Sequence, residues 1–198
     1  MYKEKQFNLP QEFKGKLSRT SVEEHLKLYS GYVKHTNYIL EQITKLQQNS
    51  DTNKYEIGEL RRRLGFEFDG MRNHEYYFKA LEDGPAELST ESQLKTAIES
   101  QWGDFNNWES EFKQMATTRG IGWGILYHDS QNNILLNSWI DEQQIGHLTG
   151  LQPILMIDMW EHSFVYDYQP SGKTQYVEDF FNNLNWLNIE QNYIKSIN

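Results

Sequence analysis

Six histidines, at positions 25, 35, 74, 128, 147 and 162, and no cysteine bound the metal chemistry open to this chain of 198 residues. Without thiolates, an ion must be held by imidazole, carboxylate or water, a donor set that suits manganese, iron or zinc. The densest group of donors is Asp158-Met159-Trp160-Glu161-His162. Asp158 and His162 stand four apart, so they share a face if the chain turns helical there. An acid and an imidazole converging in this way make half of a metal site. The same stretch also reads as a helix N-terminus whose acidic residues complement the dipole. His74 sits among aromatics, just before Tyr76-Tyr77-Phe78. A buried imidazole needs a partner at each ring nitrogen, so His74 is either hydrogen-bonded core or a ligand.

The other histidines sort by context. His25 alone reads as a solvated helix residue. His35 falls in a polar stretch, His128 beside a hairpin turn where exposure is expected, and His147 in a connecting loop. His25, His74 and His162 remain, each on a helix or helix start among aromatics. With Asp158 they give four donors from three segments, enough for one mononuclear site. A zinc hydrolase would want a nearby general base and an open groove, and none is advertised. A di-metal carboxylate bundle would want two Glu-x-x-His repeats, and the sequence has none.

The elements that must position these donors follow from periodicity. Residues 1–20 read as an extended arm, ending in an N-cap at Thr20 or Ser21 ahead of Glu23 and Glu24. Apolar residues from Val22 to Leu46 recur at helical spacing. A polar loop at 47–53 leads to a helix over 56–65, whose Arg61-Arg62-Arg63 reads as a solvated face, and then to the aromatic stretch around His74. Glu82-Asp83-Gly84-Pro85 is the best boundary, predicting domains at 1–86 and 87–198. Beyond it, helices are expected over 89–100 and 108–118. A hairpin follows, with strands at 122–127 and 133–139. Ile154-Leu155-Met156-Ile157, short and flanked by Pro153, reads as a third, buried strand. Helices over 161–168 and 174–184 complete the pattern.

A net charge of −9 argues against a nucleic-acid partner, which needs a basic footprint. The start, Met1-Tyr2-Lys3-Glu4-Lys5, lacks an apolar signal core, and no run reaches transmembrane length. A soluble, cytoplasmic protein without a membrane partner is the expectation.

Asp158-Met159-Trp160-Glu161-His162 resembles the C-terminal signature of the iron/manganese superoxide dismutases. Asn73-His74 with Tyr77-Phe78 resembles that family's second-ligand helix. Gly120-Ile121-Gly122-Trp123 is similar to its glycine-tryptophan segment, and Asn182 to Trp186 to its terminal helix. The resemblance implies an α+β fold: an N-terminal helical hairpin domain, then a C-terminal α/β domain with a three-stranded antiparallel sheet. It implies manganese or iron on His25, His74, Asp158 and His162, with water or hydroxide as a fifth ligand, and superoxide as substrate. Trp123 and Trp160 belong to the same motifs. The family tunes its metal through a glutamine that hydrogen-bonds the bound solvent. The iron-type position, four before His74, is Gly70. Gln143 falls at the manganese-type position, with Gln144 its neighbour, and this favours manganese slightly.

The sequence departs from the family in two places. The first ligand histidine usually precedes a gateway tyrosine by eight positions, with a histidine between. Here His25 precedes Tyr32 by seven and Tyr29 replaces that histidine, so either tyrosine is a gateway candidate. The tyrosine expected three residues after His162, which pairs with that histidine across the dimer, is Val165. Glu161 is kept, and the resemblance implies a homodimer, or a tetramer, in which Glu161 reaches the partner's metal-bound histidine. Lys27, Lys34 and Arg72 could form a positive funnel for an anion, though each also reads as an ordinary solvated charge. An alternative is a catalytically inactive protein of this fold serving as an assembly subunit. All four donors are present, which favours the enzyme.

Overall fold

The computed structural model describes residues 1–197. The N-terminal arm runs extended along the first helix. Tyr2 and Asn37 exchange hydrogen bonds of 2.7 and 2.9 Å, and the Lys5 N–H donates to the Tyr29 hydroxyl at 2.8 Å. Two long helices follow, α1 (Arg19–Leu46) and α2 (Lys54–Leu81). The N-cap of α1 is Ser18, whose side chain accepts from the Ser21 N–H. This corrects the expected cap at Thr20 or Ser21, which lie inside the first turn. The second helix is unbroken and unites the expected 56–65 helix with the aromatic stretch. Gly65 and Gly70 cost it roughly 1 kcal/mol each. Burial of Met71, His74, Tyr77, Phe78 and Leu81 outweighs that cost.

After Gly84-Pro85 come α3 (Gln93–Trp102) and α4 (Phe105–Ala116), then strands β1 (Gly122–Asp129), β2 (Ile134–Asp141) and β3 (Gln152–Asp158). The sheet is antiparallel in the order β2-β1-β3. Helices α5 (Glu161–Tyr168), α6 (Lys173–Asn182) and α7 (Trp186–Ile197) close the chain. The fold is therefore the expected one, an N-terminal helical region followed by an α/β domain on a three-stranded antiparallel sheet. Among the described residues no helix is long and apolar enough to cross a membrane.

The sheet begins at a residue that must be glycine. Gly122 has φ +155°, and a Cβ there would meet the Ile140 carbonyl oxygen at 2.0 Å. That close approach seats Trp123, fully buried, between the sheet and α2. One continuous apolar core runs from Leu9 and Leu17 of the arm through α1, α2 and the sheet to α6 and α7. It holds α2 against β3 and α1 against α5, which is how donors from both halves of the chain can meet.

Two expectations are corrected at the C-terminal end. Asn182 to Trp186, likened to a terminal helix, is the junction between α6 and α7. There the Asn185 side chain accepts from the N–H groups of Leu187 and Asn188 and starts the true terminal helix. His128, expected to be exposed, is buried. Helix α7 covers it: Nδ1 lies 2.8 Å from the Ser196 hydroxyl, and the ring packs on Tyr193.

Candidate metal centre

Each predicted donor is delivered by a different element. His25 lies on α1, His74 on α2, Asp158 at the end of β3, and His162 in the first turn of α5. The structure brings their ligand atoms within 4.8 Å of one another. Asp158 Oδ2 is the common vertex, 3.1 Å from His25 Nε2, 3.2 Å from His162 Nε2 and 3.5 Å from His74 Nε2. His25, His74 and Asp158 are buried, while the His162 side chain is 23% exposed. The solvated reading of His25 is therefore corrected. Its ring packs on those of His74, Tyr77, Phe78 and His162.

Local chemistry orients the donors. The His74 Nδ1 lies 2.6 Å from the Gly70 carbonyl. A carbonyl can only accept, so Nδ1 carries the proton and Nε2 presents a bare lone pair. That Nε2 is buried without a hydrogen-bond partner, and it faces a carboxylate oxygen. Two electron-rich atoms in this arrangement repel unless a cation lies between them. Asp158 is held by the Trp160 N–H on Oδ1 at 2.8 Å and by the Ser163 hydroxyl on its carbonyl at 2.9 Å. Burial pulls His25 below the ordinary imidazole range against the pull of Asp158. It takes His74 down to about 3, with His25 adding to the effect. Burial alone would raise the Asp158 carboxyl, but His162 and His25 outweigh it and hold the group well below the usual carboxylate range. Neutral imidazoles around an ionised carboxylate are the forms that bind a metal. The residues thus fit a single nitrogen- and oxygen-bound ion such as manganese or iron.

A second layer surrounds the donors. Gln143 is fully buried. Its Nε2 donates to the Tyr32 hydroxyl at 3.0 Å, and its Oε1 accepts from the Trp123 indole N–H at 2.9 Å. The Tyr32 ring lies against His74, with centroids 5.0 Å apart, and burial raises its hydroxyl well above the ordinary value. At Gly70, a Cβ would come within 2.6 Å of the Tyr32 ring, so the ring fills the place a side chain would take. Gln144 does not join this chain: its Oε1 is buried with no hydrogen-bond partner among the described residues. The Trp160 ring stacks on His162 at 5.8 Å, and its indole donates to the Glu142 carbonyl at 3.3 Å.

Tyr29 is turned elsewhere. Its hydroxyl accepts from the Lys5 N–H and donates to Glu75 at 3.4 Å, and burial pushes it up to about 12. Glu75 also pairs with Lys5 and Arg72, at 2.6 and 2.8 Å. Of the three cations considered for a funnel, Arg72 is thus held by Glu75 and Lys27 by Glu24, while Lys34 stays exposed. Glu161 is exposed beside His162, Val165 and Tyr166, in a shallow depression that α1 completes with Ser21 and Glu24.

Two residues of this region carried no role in the sequence reading. Asn73 Nδ2 donates to the Gln143 carbonyl at 2.9 Å, and His147 Nε2 meets the same carbonyl at 3.1 Å. The only hint was spacing: Asn73 adjoins a ligand, and His147 lies four beyond Gln143.

The fold brings together a donor set of three imidazoles and one carboxylate, with no thiolate, that fits a single metal ion. Residues 90–192 match the family described as iron/manganese superoxide dismutases, C-terminal domain. A superoxide dismutase [Mn] of Mycobacterium intracellulare is 31% identical over 170 residues, covering 85% of this chain and 80% of the relative. That of Mycolicibacterium fortuitum matches to the same extent, and that of Mycobacterium leprae is 30% identical over 171 residues, 86% and 81% of the two chains. The chain belongs to the iron/manganese superoxide dismutase family, as a divergent member.

Proposed function

We propose that this protein is a superoxide dismutase, converting two superoxide anions and two protons to dioxygen and hydrogen peroxide. His25, His74, Asp158 and His162 would hold one manganese or iron ion. The ion, when bound, supplies one-electron redox chemistry between trivalent and divalent states. The observation that carries the reading is the lone pair of His74, buried without a partner beside the Asp158 carboxylate and ringed by two further imidazoles.

The chain's own residues do the rest. Tyr32, Gln143 and Trp123 form a hydrogen-bonded line at the edge of the donors, able to hold a proton close to where substrate arrives and to orient a solvent molecule there. Trp160 and Phe66 pack edge to face and, with Trp123 and Tyr32, restrict water around the donors. Manganese is the slightly favoured ion. The glutamine approaches from the β2–β3 connection rather than from position 70, and the relatives above carry manganese in their names. The working assembly is a homodimer in which Glu161 accepts a hydrogen bond from His162 of the partner subunit. What supports this is the exposed placement of Glu161 beside a partly exposed His162.

The test is elemental analysis of protein prepared with both metals available, followed by a dismutation assay on each metal form. One active ion per chain is expected, with metal and activity lost together in His74→Ala. Full occupancy without activity in either form would instead point to an inactive assembly subunit.

A further inference from the structure

Resting on the dismutase reading, we infer that His147 is a positioning residue that clamps the backbone of Gln143 so that its side chain bridges Tyr32 and Trp123. The acceptor fixes one proton. The Gln143 carbonyl can only accept, so the His147 contact at 3.1 Å needs a proton on Nε2. In the neutral ring Nδ1 is then an acceptor, and the Tyr127 hydroxyl, 2.6 Å away, donates to it. Tyr127 is a buried residue of β1. A rigid strand therefore sets the tautomer and the aim of the imidazole.

The clamp is placed where the chain needs one. Gln143 sits at the tip of a tight turn closed by Asp141 and Ile145, whose backbone bonds are 2.9 and 3.1 Å. Glu142 before it has φ +51°, and Gly146 after it φ +100°. Such a tip is held by few contacts of its own. Here the carbonyl takes two donors, Asn73 from α2 and His147 from the far side of the turn. With the backbone pinned from both sides, the amide can keep two side-chain bonds of 2.9 and 3.0 Å. A shift of about 1 Å would take both out of hydrogen-bond range. Among the described residues His147 has no hydrogen bond or ring contact with any of the four metal donors, so its influence on them must pass through Gln143.

The experiment compares wild type, His147→Leu, Gln143→Ala and the double variant as metal-loaded full-length proteins. Metal content, kcat, midpoint potential and a crystal structure of His147→Leu are the readouts. The expected result is unchanged metal content, a kcat reduced about tenfold, a shifted potential, and a Gln143–Tyr32 separation beyond about 3.5 Å. In the Gln143→Ala background, His147→Leu is expected to change kcat by less than about twofold, since the coupled effect is already lost. The inference is overturned if both Gln143 side-chain bonds persist in the variant, or if His147→Leu acts equally strongly without the Gln143 side chain. Should His147→Leu not fold, Tyr127→Phe removes only the hydroxyl that fixes the tautomer. It is expected to move the potential in the same direction by less, and no movement there overturns the clamp. Wild type lacking activity with either ion would sink the dismutase reading alone, because the crystallographic readout still decides the clamp.

Discussion

Gly70 and His74 stand one helical turn apart on α2, and the carbonyl of the first lies 2.6 Å from Nδ1 of the second. This bond turns the lone pair of Nε2 toward Asp158. On its other side Gly70 has no Cβ, and the Tyr32 ring uses the space. One residue without a side chain thus orients a metal donor through its backbone and seats a phenol through its absence of bulk.

The conflict at this position predicts the behaviour of Gly70→Ala. In an exposed helix, alanine would gain about 1 kcal/mol over glycine. Here the added methyl would sit 2.6 Å from the Tyr32 ring, and overpacking of this kind costs roughly 1–3 kcal/mol. The variant is expected to be destabilised by about 1 kcal/mol net in denaturant titration, with a lowered kcat because Tyr32 is pushed off Gln143. In a Tyr32→Ala background, which has its own stability cost from the lost ring, Gly70→Ala should no longer destabilise, and the activity should stay low. A Gly70→Ala protein more stable than wild type would show that the ring moves aside freely.

The four donors could be read from the sequence because each is a chemically distinctive residue in an apolar setting, and because Asp158 and His162 lie on consecutive elements. The sheet was readable for the same reason, since its strands are short apolar runs bounded by turns. What stayed hidden depends on contacts that no local pattern encodes. His128 is buried by α7, whose apolar stripe is thin: only Ile189 and Tyr193 are buried on it, and Leu187 is exposed. His147 works through a backbone carbonyl, which has no sequence signature. Periodicity places Tyr29 on the inward face of α1, but not its hydroxyl against the arm rather than the donors.

The buried imidazoles set a pH dependence for the metal-free protein. His74 is lowered from 6.5 to about 3 when folded. Between those limits the unfolded chain binds a proton that the folded chain does not, so stability falls as pH falls. The slope from this one residue is up to about 1.4 kcal/mol per pH unit. His25 is shifted in the same direction by the same cause and adds to it. Asp158, held below the ordinary range, stays ionised across this window and leaves the sign unchanged. Urea titrations at pH 7.5, 6 and 5 should show progressive loss, and a flat profile would mean the imidazoles are hydrated.

Metal removal provides a separate measure of the same cluster. Three imidazoles and a carboxylate packed within 4.8 Å bind an ion only in the folded state, so chelation should lower the melting temperature. At free metal a thousandfold above Kd the stabilisation is about 4 kcal/mol. The His74→Ala variant should melt at the same temperature with and without added manganese, whereas wild type should not. A wild-type melting temperature that ignores both manganese and iron would mean that the donors do not act as a site.

Tyr29 and Tyr32 make the sharpest contrast, since both are phenols of α1 within seven residues of His25, the first buried and the second partly buried. The Tyr32 hydroxyl accepts from Gln143 and its ring lies on His74. The Tyr29 hydroxyl joins Lys5 and Glu75, so it fastens the arm. Tyr32→Phe should lower kcat about tenfold and change its pH profile, with little change in stability. Tyr29→Phe should leave kcat within about twofold of wild type. Its cost falls on folding, because the Lys5 N–H and the Glu75 carboxylate lose a partner in a half-buried setting, worth about 1–2 kcal/mol. Steady-state dismutation and thermal melts on the two variants decide the matter. If Tyr29→Phe proved the more damaging to kcat, the proton route would have to run beneath the arm through Glu75, and the line from Tyr32 to Trp123 would be left with a packing role.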